Sequence, residues 1–207
     1  MNRQLFQLVN DFSRATPWLH GLAAAFAVYG VVLFGALLLA GVWSSRHAPS
    51  RTLAAAVWAG AGVLVAVAAN QPLSTFVAER RPYAGHPAVL VLIDRTTDWS
   101  FPSDHSVMAG AAAAGLLALT RLHPRLRHIA TVAIAAAVLM AATRVYVGVH
   151  YPLDVAAGLA VGAAVSALGW LVVRRPLTSM VQRWRVSAVA PRAFARSGAS
   201  ASRMSTR

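Results

Sequence analysis

Residues 129–154 read IATVAIAAAVLMAATRVYVGVHYPLD, an apolar run from Ile129 to Ala142 that meets Arg144, His150 and Asp154 within one further segment. The first half is suited to hydrocarbon. Unpaired charge at the edge of lipid is costly, so the second half needs partners. The composition agrees with a bilayer setting: of 207 residues, 57% are hydrophobic and only 12% charged, too apolar for an ordinary soluble domain.

Working outward from this stretch, hydropathy marks five segments near 20–43, 52–70, 104–120, 128–147 and 154–173. Each approaches the length of about 20 residues that a helix needs to cross a hydrocarbon core. The fold class expected is therefore all-α, an integral membrane bundle of about five transmembrane helices. Ahead of them, Leu5, Phe6, Leu8, Val9 and Phe12 recur at helical spacing among polar residues. They predict an N-terminal helix lying in the interface. Asp11 and the lack of a cleavage signature argue against a removed signal peptide. A membrane domain over 1–175 is expected, followed by a basic cytoplasmic tail over 176–207. PRAFARSGASASRMSTR after Pro191 has too little apolar content to pack, which predicts disorder.

Charge orients the spans. If residues 44–51, 121–127 and the chain from 174 share one side, that side holds thirteen of the 19 arginines. All six acids, Asp11, Glu79, Asp94, Asp98, Asp104 and Asp154, fall on the other. The arginine-rich side is then cytoplasmic and the acid-bearing side faces outward, in a multi-pass protein of the plasma or inner membrane. The net charge of +13 is accounted for by anionic lipid headgroups at the cytoplasmic face, with no nucleic acid partner.

Three polar clusters meet on the outer side: ERRPY at 79–83, SFPSDHSVMAG at 100–110, and the RVYVGVHYPLD that closes the opening stretch. Pro102 and Ser103 suggest a helix start, with Ser103 as N-cap and Asp104 and His105 in the first turn. This is either a simple cap or an anion cradle of free N–H groups beside a proton-delivering His. Arg81 and Arg144 suit either headgroup anchoring or the binding of a phosphoryl group. His150 and Asp154, four residues apart across Pro152, suit a carboxylate that orients an imidazole as base or nucleophile. No HExxH or comparable spacing points to zinc.

In order and type, ERRP, FPSDH and the R-x5-H-x3-D of residues 144–154 resemble the three signature motifs of the phosphatidic acid phosphatase type 2 superfamily. Departures are Ser74 where the first motif usually has Lys, in a chain with no Lys; Asp104 for the Gly of the second motif; and Thr143 for the Ser that opens the third. These departures, the chain length and the segments FQLVNDFSRATPWLHGLAAAFAVYG and NQPLSTFVAERRPY resemble the bacitracin-resistance branch of undecaprenyl-diphosphate phosphatases.

The resemblance implies a lipid phosphatase with no cofactor and no metal. His150 would be the nucleophile that forms a phosphohistidine, Asp154 would orient it, and His105 would protonate the leaving group and then activate water. Arg81, Arg144, Ser103 and the Asp104 N–H would hold the phosphoryl oxygens. Asp104 would point away or pair with Arg81 or Arg144, and Arg80 is the one candidate to replace the absent Lys. The partner expected is a polyprenyl diphosphate whose headgroup reaches an outward site while its tail stays in the bilayer. The small residues of AGAAAAG (109–115) and GLAVG (158–162) predict close helix packing beside it. Alternatives are a phosphatase for another lipid phosphate (phosphatidylglycerophosphate, phosphatidate or lipid A), a non-catalytic lipid transporter, or an intramembrane Ser protease using Ser103 and His105.

Overall fold

Hydrocarbon offers peptide groups no partner, and a helix satisfies them within one segment. The computed structural model describes the backbone of residues 1–204 and the side chains of residues 1–187. In chain order the helices are α1 (Asn2–Ala15), α2 (His20–Ser45), α3 (Ser50–Val77), the short α4 (Pro82–Gly85), α5 (Asp104–Thr120), α6 (Arg127–Tyr146) and α7 (Pro152–Met204). Among the described residues there is no strand.

The chain is an all-α membrane bundle. Four helical segments, Pro17–Ser45, Ser50–Gly85, Pro124–Tyr146 and Pro152–Ser187, are long and apolar enough to cross a bilayer. The remaining expected span, α5, has 17 residues and is the inner helix, with buried residues from Ser106 to Leu119 around much of its circumference. Its shortness fits a helix enclosed by protein rather than lipid.

Expected and observed limits differ at the end of α3. Hydropathy stops near residue 70, where Asn70, Gln71 and Pro72 begin, yet the helix runs to Val77 with Pro72 inside it and ends on Ala78 in the left-handed region at φ 52°. The extra turns carry Asn70 and Gln71 to the level of the α5 start. At the other end of the molecule, α7 continues past residue 175, the expected domain limit. Arg185 on it donates to Ala48 O (2.6 Å) and Arg46 O (2.9 Å) of the α2–α3 loop. The expected disorder after Pro191 lies outside the residues whose side chains are described.

The tightest packing brings α5 and α7 backbone to backbone. A Cβ on Gly110 would strike Leu159 O, one on Gly162 would strike Val107 O, and one on Gly158 would lie 2.8 Å from Ser103 O. The predicted role of the two small-residue runs is therefore observed. It locks the start of α5, which bears Ser103–His105, against the first turns of α7, which bear Asp154. On the other side of α5, its own Leu116 packs with Phe34 of α2 and Met140 of α6 to fill the interior. The alternation of helix directions gathers the end of α3, the start of α5, the end of α6 and the start of α7 at one end of the bundle. Arg46, Arg51, Arg121 and Arg125 lie at the opposite end.

Candidate active site

His150 sits in the turn between α6 and α7 and is 1% exposed. Gly148 gives that turn its shape: its φ of +84° belongs to the region glycine adopts freely, and a Cβ there would collide with Leu90 O. The ring is held by its two nitrogens in different ways. Nδ1 lies 2.8 Å from Ser100 O, a pure acceptor, so Nδ1 carries the proton. Nε2 faces two guanidinium donors, Arg81 Nη1 at 3.1 Å and Arg144 Nη2 at 3.4 Å, so Nε2 presents its lone pair. Burial, then the charges of Arg144 and Arg81, push the imidazole well below the ordinary histidine value. The result is a neutral, desolvated nitrogen flanked by two cations.

The arginines come from different segments of the chain and are both 6% exposed. Arg81, in extended backbone ahead of Pro82 and α4, is fully engaged. Its Nη1 also donates to Val149 O (3.1 Å), its Nε to Asp98 O (3.2 Å), and its Nη2 to Asp98 Oδ2 (2.8 Å). Partial burial works against the Asp98 carboxylate, but hydrogen bonds from Thr96 and Arg81 outweigh it and hold its pKa below the ordinary value. Arg144, on the last turn of α6, donates from Nη1 to Ala27 O (3.3 Å), while its buried Nε has no partner.

Asp154 does not hydrogen-bond His150 as its spacing suggests. Its Oδ2 lies 3.6 Å from Nδ1, because Ser100 stands between them. The Ser100 hydroxyl donates to Asp154 Oδ2 (2.5 Å) while the Ser100 carbonyl takes the imidazole proton. Oδ2 also accepts from Tyr151 N (2.8 Å), so the carboxylate fixes the turn and acts on the ring through Ser100.

Of the two alternatives for Asp104, the pairing with an arginine is not the one seen: its carboxylate accepts from Asn70 Nδ2 (2.8 Å) and Gln71 Nε2 (3.1 Å) on the overlong end of α3. Asn70 also donates to Pro102 O (3.0 Å), which ties α3 to the start of α5. Ser103 occupies the N-cap position, but its hydroxyl makes no capping bond. That hydroxyl is buried and without a partner, free to meet a ligand. Ser103 N donates to Asp154 O (3.1 Å), placing the α5 start beside the α7 start. His105 is half-buried in the first turn of α5 and makes no hydrogen bond among the described residues. Arg80 is exposed and makes no hydrogen bond to these groups among the described residues.

The structure thus brings Arg81, Arg144, His150 and Asp154 together, with Ser103, Asp104 and His105 at the adjoining helix start. Sequence reasoning missed Asp98, Ser100, Asn70 and Gln71. Ser100 was within the quoted SFPSDH stretch, but its backbone carbonyl does half its work, and a carbonyl leaves no mark on residue type.

Three comparisons with known proteins bear on this arrangement. The PAP2 superfamily pattern matches residues 55–177. The undecaprenyl-diphosphatase BcrC of Bacillus subtilis is 29% identical over 188 residues, covering 88% of this chain and 91% of that protein. A decaprenylphosphoryl-5-phosphoribose phosphatase of Mycobacterium tuberculosis is 36% identical over 110 residues, 53% of this chain and 56% of its own length. Among solved structures, Aquifex aeolicus LpxE superposes with a TM-score of 0.60 at 29% identity, covering 81% of this chain and 93% of that one.

Proposed function

The chain belongs to the PAP2 superfamily and is a membrane lipid phosphatase, and from that premise we propose that it converts undecaprenyl diphosphate to undecaprenyl phosphate. In this reading the reaction runs through a phosphohistidine at the extracytoplasmic face of the plasma or inner membrane and recycles a cell-wall lipid carrier. The carrying observation is the His150 ring, whose Nδ1 proton is given to Ser100 O while Nε2 lies between Arg81 and Arg144.

Nε2 attacks the terminal phosphorus, a P–N bond forms, and the bridging P–O bond breaks. His105 donates a proton to the departing lipid phosphate. It then takes one from water, whose oxygen attacks the phosphohistidine, releasing inorganic phosphate and restoring Nε2. Phosphoryl transfer asks chiefly for positioning and for charge on the equatorial oxygens. Arg144 Nε and the Ser103 hydroxyl are buried donors without protein partners, and the N–H groups at the α5 start add a third source of positive potential. The donors proposed for the phosphoryl group are arginine, hydroxyl and backbone N–H, and none of the chemistry is assigned to a metal.

The polyprenyl substrate is favoured by the relatives named as acting on polyprenyl lipids and by the resemblance of the motif departures. The orientation rests on the arginine-rich opposite end of the bundle. Phosphate release from a panel of lipid phosphates in detergent with EDTA tests the proposal. Turnover of undecaprenyl diphosphate that survives chelation is expected, and turnover of only phosphatidylglycerophosphate or lipid A would replace the substrate. Arrest by EDTA would replace the mechanism.

A further inference from the structure

The helix α1 grips the His150 turn from both sides. Asn10, 5% exposed, pairs with the backbone of Leu90 as another peptide group would: Nδ2 donates to Leu90 O (2.9 Å) and Oδ1 accepts from Leu90 N (3.1 Å). The segment it holds leans directly on the catalytic turn. Leu92 N donates to Val147 O (3.1 Å), and Leu90 O packs against the Cα of Gly148. Before His150, the Tyr146 hydroxyl meets Thr16 Oγ1 at 2.8 Å; after it, Phe6 packs edge-on to Tyr151 at 5.3 Å. Four residues of spacing separate Phe6 from Asn10, so both lie on one face of α1, while Leu5, Leu8 and Phe12 are exposed.

We propose that Asn10 is a positioning residue: by fixing Leu90 under Gly148 it sets the turn 147–151 so that His150 Nε2 stands between Arg81 and Arg144. The inference rests on His150 being the nucleophile. The turn's own backbone bonds hold its start, Val147 N on Thr143 O (2.9 Å) and Gly148 N on Val145 O (3.0 Å), and Asp154 holds its end through Tyr151 N; the carboxamide adds the support beneath Gly148, between those two anchors. Removing it leaves both the N–H and the C=O of Leu90 without their partner. A displacement of about 1 Å in a reacting group is enough to slow chemistry by about 10²-fold, without altering how the lipid headgroup binds.

The test is steady-state turnover of the full-length Asn10→Ala protein on whichever lipid phosphate of the panel is hydrolysed, with amide hydrogen exchange on the same sample. The expected result is a kcat lowered about tenfold or more with KM within about twofold, and faster exchange confined to residues 88–92 and 146–151. A kcat per folded molecule within about twofold of wild type, or exchange raised equally through α3 and α5, overturns it by making Asn10 either idle or merely structural. If Asn10→Ala is not recovered monodisperse, Asn10→Asp is read by the same criteria, since it keeps the acceptor for Leu90 N and loses the donor to Leu90 O. Activity surviving in His150→Ala would remove the nucleophile reading itself. A silent His150→Ala beside an unaffected Asn10→Ala would overturn the positioning role alone.

Discussion

The α5–α7 pair and the connection from Ala78 to Ser103 build the same site by opposite means. The helices meet through Gly110, Gly158 and Gly162, with backbone on backbone, and the pair tolerates no added atom at the contact. The connection has only the one-turn α4 as regular structure, yet it supplies Arg81, the Asp98 counter-charge and the Ser100 carbonyl that sets the His150 tautomer. One region gives rigidity through absent side chains, and the other gives chemistry through individual hydrogen bonds. Changes in the first are expected to cost the fold, and changes in the second to cost rate.

The comparison breaks most sharply at Gly162. Gly162→Leu places a side chain where Val107 O and Ala111 N already stand, so loss of folded protein is expected, read as the absence of a monodisperse peak in detergent. A folded, active Gly162→Leu protein would show that the helix pair is not the rigid half. Next come the arginines. Arg144→Ala and Arg81→Ala should each lower kcat about 10²–10³-fold in folded protein, the range for loss of one preorganised donor to transition-state charge. Arg144 carries the free Nε and is expected to show the larger loss in single-turnover phosphoryl transfer.

Within the connection the effects shrink. Ser100→Ala keeps the carbonyl that holds Nδ1 but removes the hydroxyl from Asp154 Oδ2, and a loss of about tenfold in kcat is expected for one charge-assisted hydrogen bond. Asp98→Asn leaves its carbonyl on Arg81 Nε and removes the carboxylate from a partly exposed pair. Its change should be less than about fivefold and should fade with added salt. A pH profile sharpens the electrostatic side. The folded His150 pKa lies below the unfolded value, so the ring stays neutral as pH falls through 6.5 while an unfolded chain would gain a proton there. Stability should therefore decline below about pH 6.5, and the acid limb assigned to His150 in single-turnover attack should lie lower than that.

The same division decides what the sequence made legible. Long Ala, Leu and Val runs and the small-residue spacings of α5 and α7 report packing through residue type, so the all-helical bundle and its closest contact could be anticipated. Arg81, Arg144, His150 and Asp154 stood out because charge beside apolar spans is costly and needs a reason. What escaped was carried by atoms that residue type does not specify. The Ser100 carbonyl displaced the expected Asp154–His150 hydrogen bond, and Asp104 found Asn70 and Gln71 only because α3 runs through Pro72 for further turns. Asn10 was similarly hidden, being one polar residue on a helix whose apolar spacing drew attention to the lipid.

The most direct test of a histidine nucleophile flanked by two arginines is to trap the covalent intermediate. Rapid quench of the purified enzyme with a lipid diphosphate labelled in its terminal phosphate, followed by peptide mapping, should place an acid-labile, base-stable phosphoryl group on His150 of the wild type. The same procedure should find no label on His150→Ala, whose phosphate release should also be abolished. A label on another residue, or phosphate release that persists in folded His150→Ala, would contradict the account.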